Sequence, residues 1–190
     1  VLPVSYSMPN GETGRFTYYD DGYAGPAATG DPTSALSPLA GGLGDLTDGT
    51  IATANWNVTP ALYVGWSSIT PTITFFFDQV YDFTALTLYA DDSNQLGGVS
   101  TPGRAIVNGT SYQVADGASG APIVSMFDLT GLTTDEIVLT VEDGAASWVM
   151  LSEVTFDGAP STGIAPVPLP AGLPLLAAGL GALALLRRRR

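Results

Sequence analysis

The chain has 190 residues and a formal net charge of −12, with no histidine and no cysteine. That length gives room for one domain with a real core plus an appendage. The two missing residue types exclude disulfide scaffolding, thiolate or imidazole zinc sites, and Ser-His-Asp or Cys-His nucleophilic catalysis.

Charge is distributed unevenly along the chain. All eighteen acidic residues lie at or before Asp157, opposed there only by Arg15 and Arg104, so this stretch carries −16. A field of that sign repels nucleic acid and anionic lipid, and it suits a protein solvated outside the cell or one that binds calcium.

In chain order, Val1 to about Pro60 is rich in Gly, Pro, Asp and Thr and reads as long loops, with one strand expected over GRFTYY, Gly14 to Tyr19. The period then becomes two. In TITFFFDQV, Ile73, Phe75 and Phe77 alternate with Thr72, Thr74 and Phe76; in FTALTLYA, Leu86 and Leu88 alternate with Thr87 and Tyr89. In RAIVNGTSYQV, Asn108-Gly109 sits between two β-favouring runs, and the pair tolerates the positive φ angles of a type I′ turn, so a tight hairpin is predicted. EIVLTVED then puts Ile137, Leu139 and Val141 on one side. In the last strand, SWVMLSEVTFDG, Trp148, Met150, Val154 and Phe156 share one phase, with Trp148 assigned to the core. Val149 and Leu151 make the other phase apolar too, which predicts a central strand covered on both faces or bulged near Ser152. No stretch before Pro160 sustains a 3.6-residue period. Short antiparallel strands separated by Gly, Pro and Asp turns indicate an all-β protein, an antiparallel β-sandwich over residues 1–158, followed by a small-residue linker, 159–166, and a distinct tail, 167–190.

The tail is VPLPAGLPLLAAGLGALALLRRRR. As a helix, Leu173 to Leu186 would rise roughly 21 Å, short of a hydrocarbon core of about 30 Å. Pro168, Pro170 and Pro174 interrupt any longer span. Arg187, Arg188, Arg189 and Arg190 would stay cytoplasmic as a stop-transfer cluster, leaving the acidic body on the other side. There is no Met at residue 1 and no charged-then-apolar leader, so an N-terminal signal peptide is absent or already removed, and the tail favours removal. Val167, Pro168, Leu169, Pro170 and Ala171, then the apolar run, then the arginines, resemble the VPLPA variant of the PEP-CTERM sorting signals of Gram-negative bacteria. Leu169 stands where family members carry a Glu. The resemblance implies a short transmembrane helix in the precursor, cleavage by an exosortase-type membrane protease, and delivery to the cell surface or extracellular matrix.

In the body, LGDLTDGTIATANW, then ITFFFDQVYDFTALTLYADD, then WVMLSEVTFDG resemble, in that order, the galactose-binding-like (discoidin or F5/8 type C-like) jelly rolls. The resemblance implies a structural calcium ion held by Asp48, Thr53 and Glu153, with Asp45 as an extra carboxylate in the same loop and Thr50 as the alternative to Thr53. Calcium takes six to eight hard oxygens, which carboxylates and carbonyls supply; the bland alternative makes Asp45 and Asp48 turn residues and leaves Glu153 solvated. Sugar binding by such a fold uses loop aromatics as stacking platforms, and Tyr23, Trp56, Tyr63 and Trp66 are the candidates, with core packing as their competing fate. Arg104 is expected to pair with a carboxylate. The adjacent pairs Asp20-Asp21, Asp91-Asp92, Asp135-Glu136 and Glu142-Asp143 point to opposite faces if extended, and read as solvation rather than as the acid and base of a hydrolase. The expectation is a non-enzymatic carbohydrate-binding or adhesion module, the alternatives being a structural matrix component without a specific ligand and, behind it, a carboxylate-dependent hydrolase.

Overall fold

The computed structural model describes residues 1–12, 17–117 and 120–163. The tail motif, its arginines and the first half of the strand expected from Gly14 lie outside the described residues; Thr17 makes only an isolated bridge. Eight strands form one hydrogen-bonded antiparallel system: β1 (Ser5–Pro9), β2 (Pro38–Gly42), β3 (Val64–Ser67), β4 (Thr72–Ala90), β5 (Arg104–Val107), β6 (Thr110–Gln113), β7 (Ile123–Glu142) and β8 (Trp148–Pro160). Among the described residues the helical structure amounts to two single 3-10 turns, Pro60–Leu62 and Leu96–Gly98.

Two very long strands make this a sandwich. The runs predicted as separate strands at Thr72 and at Phe83 are one 19-residue strand, β4, beside the 20-residue β7. Their pairing slips twice, between Phe76 and Tyr81 and between Phe83 and Ala85. Before the first slip, β4 pairs with β1 on its other edge; from Tyr81 onward, with β8. One layer is therefore β2-β1-β4-β7-β5-β6 and the other β3-β8-β4-β7, with β4 and β7 passing from one to the other through bulges that re-aim their side chains.

The core lies between these layers. Phe156 of β8 meets Phe75 at 4.9 Å and Phe77 at 5.2 Å between ring centroids, both edge-on, so the period-two phenylalanines of β4 face the last strand across the sandwich. As expected, β8 is central: Val149 to Val154 are all buried, and Tyr89 and Ala90 pair with Glu153 and Leu151, which leaves Ser152 as the bulged residue. The Asn108-Gly109 hairpin also forms, with Val107 paired to Thr110 and φ of 45° and 83° at the two turn residues. β1 and β2 occupy sequence expected to be loop, because Tyr6, Met8 and Leu39 place buried side chains in strands only five residues long. Trp148 is half-buried, in a satellite cluster with Tyr18, Tyr63, Val99, Met150 and Trp56 rather than in the main core.

Candidate functional site

Two groups of carboxylates sit in loops of the sandwich. The first surrounds the turn from Gly44 to Gly49. Asp20 is fully buried; it accepts a hydrogen bond from the Tyr6 hydroxyl and one from Asp45 N–H at 2.9 Å. Glu153, on β8, is 3% exposed and accepts from Gly49 N–H at 3.2 Å. Asp48 is exposed and caps its own turn by accepting from Thr50 N–H at 2.6 Å. Burial, and then repulsion from Asp20, Asp21 and Asp48, pushes the Asp45 carboxyl up to about 7. Burial, with Asp48 adding, pushes Glu153 up to about 7. A calcium ion beside Asp45, Asp48 and Glu153 would relieve this repulsion. Thr53, by contrast, is exposed. Among the described residues no three acidic side chains converge closely enough to enclose a metal, so carbonyls and solvent would supply most of its coordination.

The expected stacking platform is not there. Tyr23, Tyr63 and Trp66 are buried core residues, Trp66 at 0% exposure, and a sugar ring cannot reach them. Their polar ends are used internally: Trp66 Nε1 donates to Pro9 O at 2.9 Å, Tyr63 Oη to Ala54 O at 2.8 Å, and Tyr23 Oη to Tyr6 O. Trp56 is half-buried against Tyr18, with ring centroids 6.0 Å apart, and its Nε1 is buried without an acceptor.

The second group was read as solvated ends and is not. Asp91 and Asp92 follow β4 directly and are buried. Asp91 Oδ2 accepts from Trp56 N–H and from the Ser93 hydroxyl, both at 3.0 Å, and burial raises its pKa. Asp92 Oδ1 accepts from Asn94 N–H at 3.1 Å. The loop then turns through Asn94, Gln95, Gly97 and Gly98, all at positive φ between 48° and 85°. Asn tolerates this left-handed region, whereas Gln pays strain to enter it. Gly97 is required there, since a Cβ would lie 2.5 Å from the Trp56 ring.

This loop forms one wall of a cavity of about 320 Å³. Asp92, Asn94, Ser100 and Thr101 face Asp116 from the segment after β6, and Asp143 from the turn between β7 and β8. Thr101 Oγ1 donates to Asp116 Oδ1 at 3.0 Å, and Ser100 Oγ accepts from Ala146 N–H at 3.0 Å, so the hydroxyls tie the three segments together. Arg104 is paired with Glu142 at 2.7 Å, as expected, and does not line the cavity. Its wall is therefore oxygen-rich and carries no cation. The sequence signal was an Asp-Asp-Ser-Asn run abutting an alternating strand and followed by Gly-Gly.

A profile of the discoidin domain-containing receptor 1/2 DS-like domain matches residues 3–99. No curated protein matches the chain. Among solved structures, a Streptococcus pneumoniae fucose binding module, SpX-3, aligns with TM-score 0.41 and 12% identity over 59% of this chain and 81% of its own. A GH31 CBM32-2 module bound to GalNAc aligns with TM-score 0.40 and 19% identity, over 60% and 86%. The family 32 module of Clostridium perfringens NanJ, in complex with galactose, gives 0.36 and 15%, over 59% and 81%.

Proposed function

Because the chain belongs to the DS-like domain family of the discoidin domain-containing receptors, we propose that it is a non-catalytic binding module whose ligand is a carbohydrate held in the cavity beyond β4. The observation that carries this reading is the oxygen-lined cavity of about 320 Å³ between the loops after β4, β6 and β7. Its size suits one or two sugar rings. Carboxylates and the Asn94 amide accept from and donate to sugar hydroxyls, and ligand specificity comes from such convergent polar groups. With Tyr23, Tyr63 and Trp66 buried, hydrogen bonding takes the place of aromatic stacking.

In this reading the Gly44–Gly49 loop is braced by calcium through Asp45, Asp48 and Glu153, with Thr53 or Thr50 nearby. The module is exported, processed at Val167 to Ala171 by an exosortase-type protease, and displayed at the surface or in the matrix of a Gram-negative bacterium. The charge asymmetry of the chain supports that topology: carboxylates up to Asp157 and an arginine run at 187–190. The competing reading is a matrix component without a specific ligand.

A glycan array probed with the wild type and with Asn94→Ala plus Asp116→Ala separates the two. Retention on a defined set of glycans, weakened tenfold or more by the double substitution, is the expected result. A flat wild-type response favours the matrix component, and retention indifferent to the substitutions removes the cavity from the binding site.

A further inference from the structure

The cavity beyond β4 has a charge imbalance that a sugar alone does not resolve. Asp92, Asp116 and Asp143 line it, and Arg104, the only cationic side chain among the described residues, is engaged with Glu142. Asp92 is 1% exposed, yet its Oδ2 has no hydrogen-bond partner; Asp143 Oδ1 is likewise buried without one. A buried carboxylate oxygen left without a donor costs more than a hydrogen bond returns. Asp116, by contrast, already accepts from Thr101.

Water or a sugar hydroxyl can donate to either oxygen, but neither offsets the charge of three carboxylates, which a cation does, and the cavity is far larger than the roughly 30 Å³ share of a single water. Its remaining walls offer the Ser100 and Thr101 hydroxyls, the Asn94 amide and main-chain carbonyls, with no thiol or imidazole in the chain. All-oxygen donors with few carboxylates select a hard, large cation over a transition metal.

We propose that this cavity binds a calcium ion through Asp92 and Asp143, with neutral oxygens of the surrounding loops and solvent completing its coordination. This ion is distinct from the one expected at Asp48 and Glu153. It would clamp the loop after β4 to the turn between β7 and β8, fixing the wall against which a ligand packs. The inference rests on reading this cavity as the ligand site, but not on that ligand being a sugar.

The test is calorimetric titration of calcium chloride alone into the chelator-treated full chain. Glu153→Gln should retain a saturable isotherm in the range of extracellular calcium modules, about 10⁻⁴ to 10⁻³ M. Asp92→Asn and Asp143→Asn, each placed in the Glu153→Gln background, should weaken that isotherm at least tenfold. Loss of all binding in Glu153→Gln, unchanged binding in the Asp92 and Asp143 variants, or no binding by any form overturns the proposal. Asp143 is only half-buried, so Asp143→Asn decides alone if Asp92→Asn fails to fold. Calcium bound with no glycan retained sinks the functional reading and leaves this one standing; the reverse sinks this one.

Discussion

Glu153 shows at the scale of one residue how the fold sets a titration. Its carboxyl is lifted from 4.5 to about 7 by burial first and by Asp48 second. The unfolded chain keeps the ordinary value, so between the two the folded state holds the extra proton. Stability is then greatest below about 4.5, falls as pH rises through about 7, and levels off above; Asp45, also raised to about 7, acts in the same direction. In chelator, the urea midpoint should drop between pH 5 and pH 8. Glu153→Gln should flatten that drop, by at most about 3 kcal/mol at the alkaline end. A midpoint that climbs over this window contradicts the assignment. Spacing alone showed an acidic residue in an apolar strand; that Asp48 lies near it came only from the family resemblance, because the Gly49 and Asp48 loop is about a hundred positions away.

At the scale of elements, what was legible follows from local rules. The Asn108-Gly109 hairpin and the bulge at Ser152 depend on residues within a few positions of each other, and both were foreseeable. Gly109 holds φ at 83°, so Gly109→Ala should lower the stability of the domain by about 1 kcal/mol; an unchanged thermal midpoint would mean the turn is not the one described. The continuity of β4 was not legible, because the Asp78-Gln79 interruption looks like a turn until the bulge opposite β7 absorbs it. Nor were β1 and β2, whose buried positions are too few to show a period. Tyr23, Trp56, Tyr63 and Trp66 were stacking candidates because they neighbour turns, with core packing as the competing fate, and Tyr23 and Trp66 do turn inward where β1 and β8 cover them. Phe156, touching Phe75, Phe77 and Phe83, ties the layers together. Phe156→Ala should cost about 3–5 kcal/mol in chemical denaturation, and a loss below 1 kcal/mol would place the core elsewhere.

For the whole molecule, the proposed topology puts the acidic residues 1–158 outside the cytoplasm and the basic end inside. The mass of the mature protein recovered from the producing cells should be short by about the last twenty residues; an intact Arg190 terminus would instead leave a plain anchor. Within the body, the loops after β4, β6 and β7 meet at one cavity, and the apolar strands behind them serve to hold those loops apart at a fixed distance. That division of labour is the central claim, and amide chemical-shift mapping tests it most directly. When calcium is added to labelled protein, shifts should appear at residues 44–49 and 153 and at the cavity, and a monosaccharide panel added next should shift residues 92–103, 114–117 and 143–146. Shifts confined to the outer face of β7 around Val124 and Met126, or none anywhere, would contradict it.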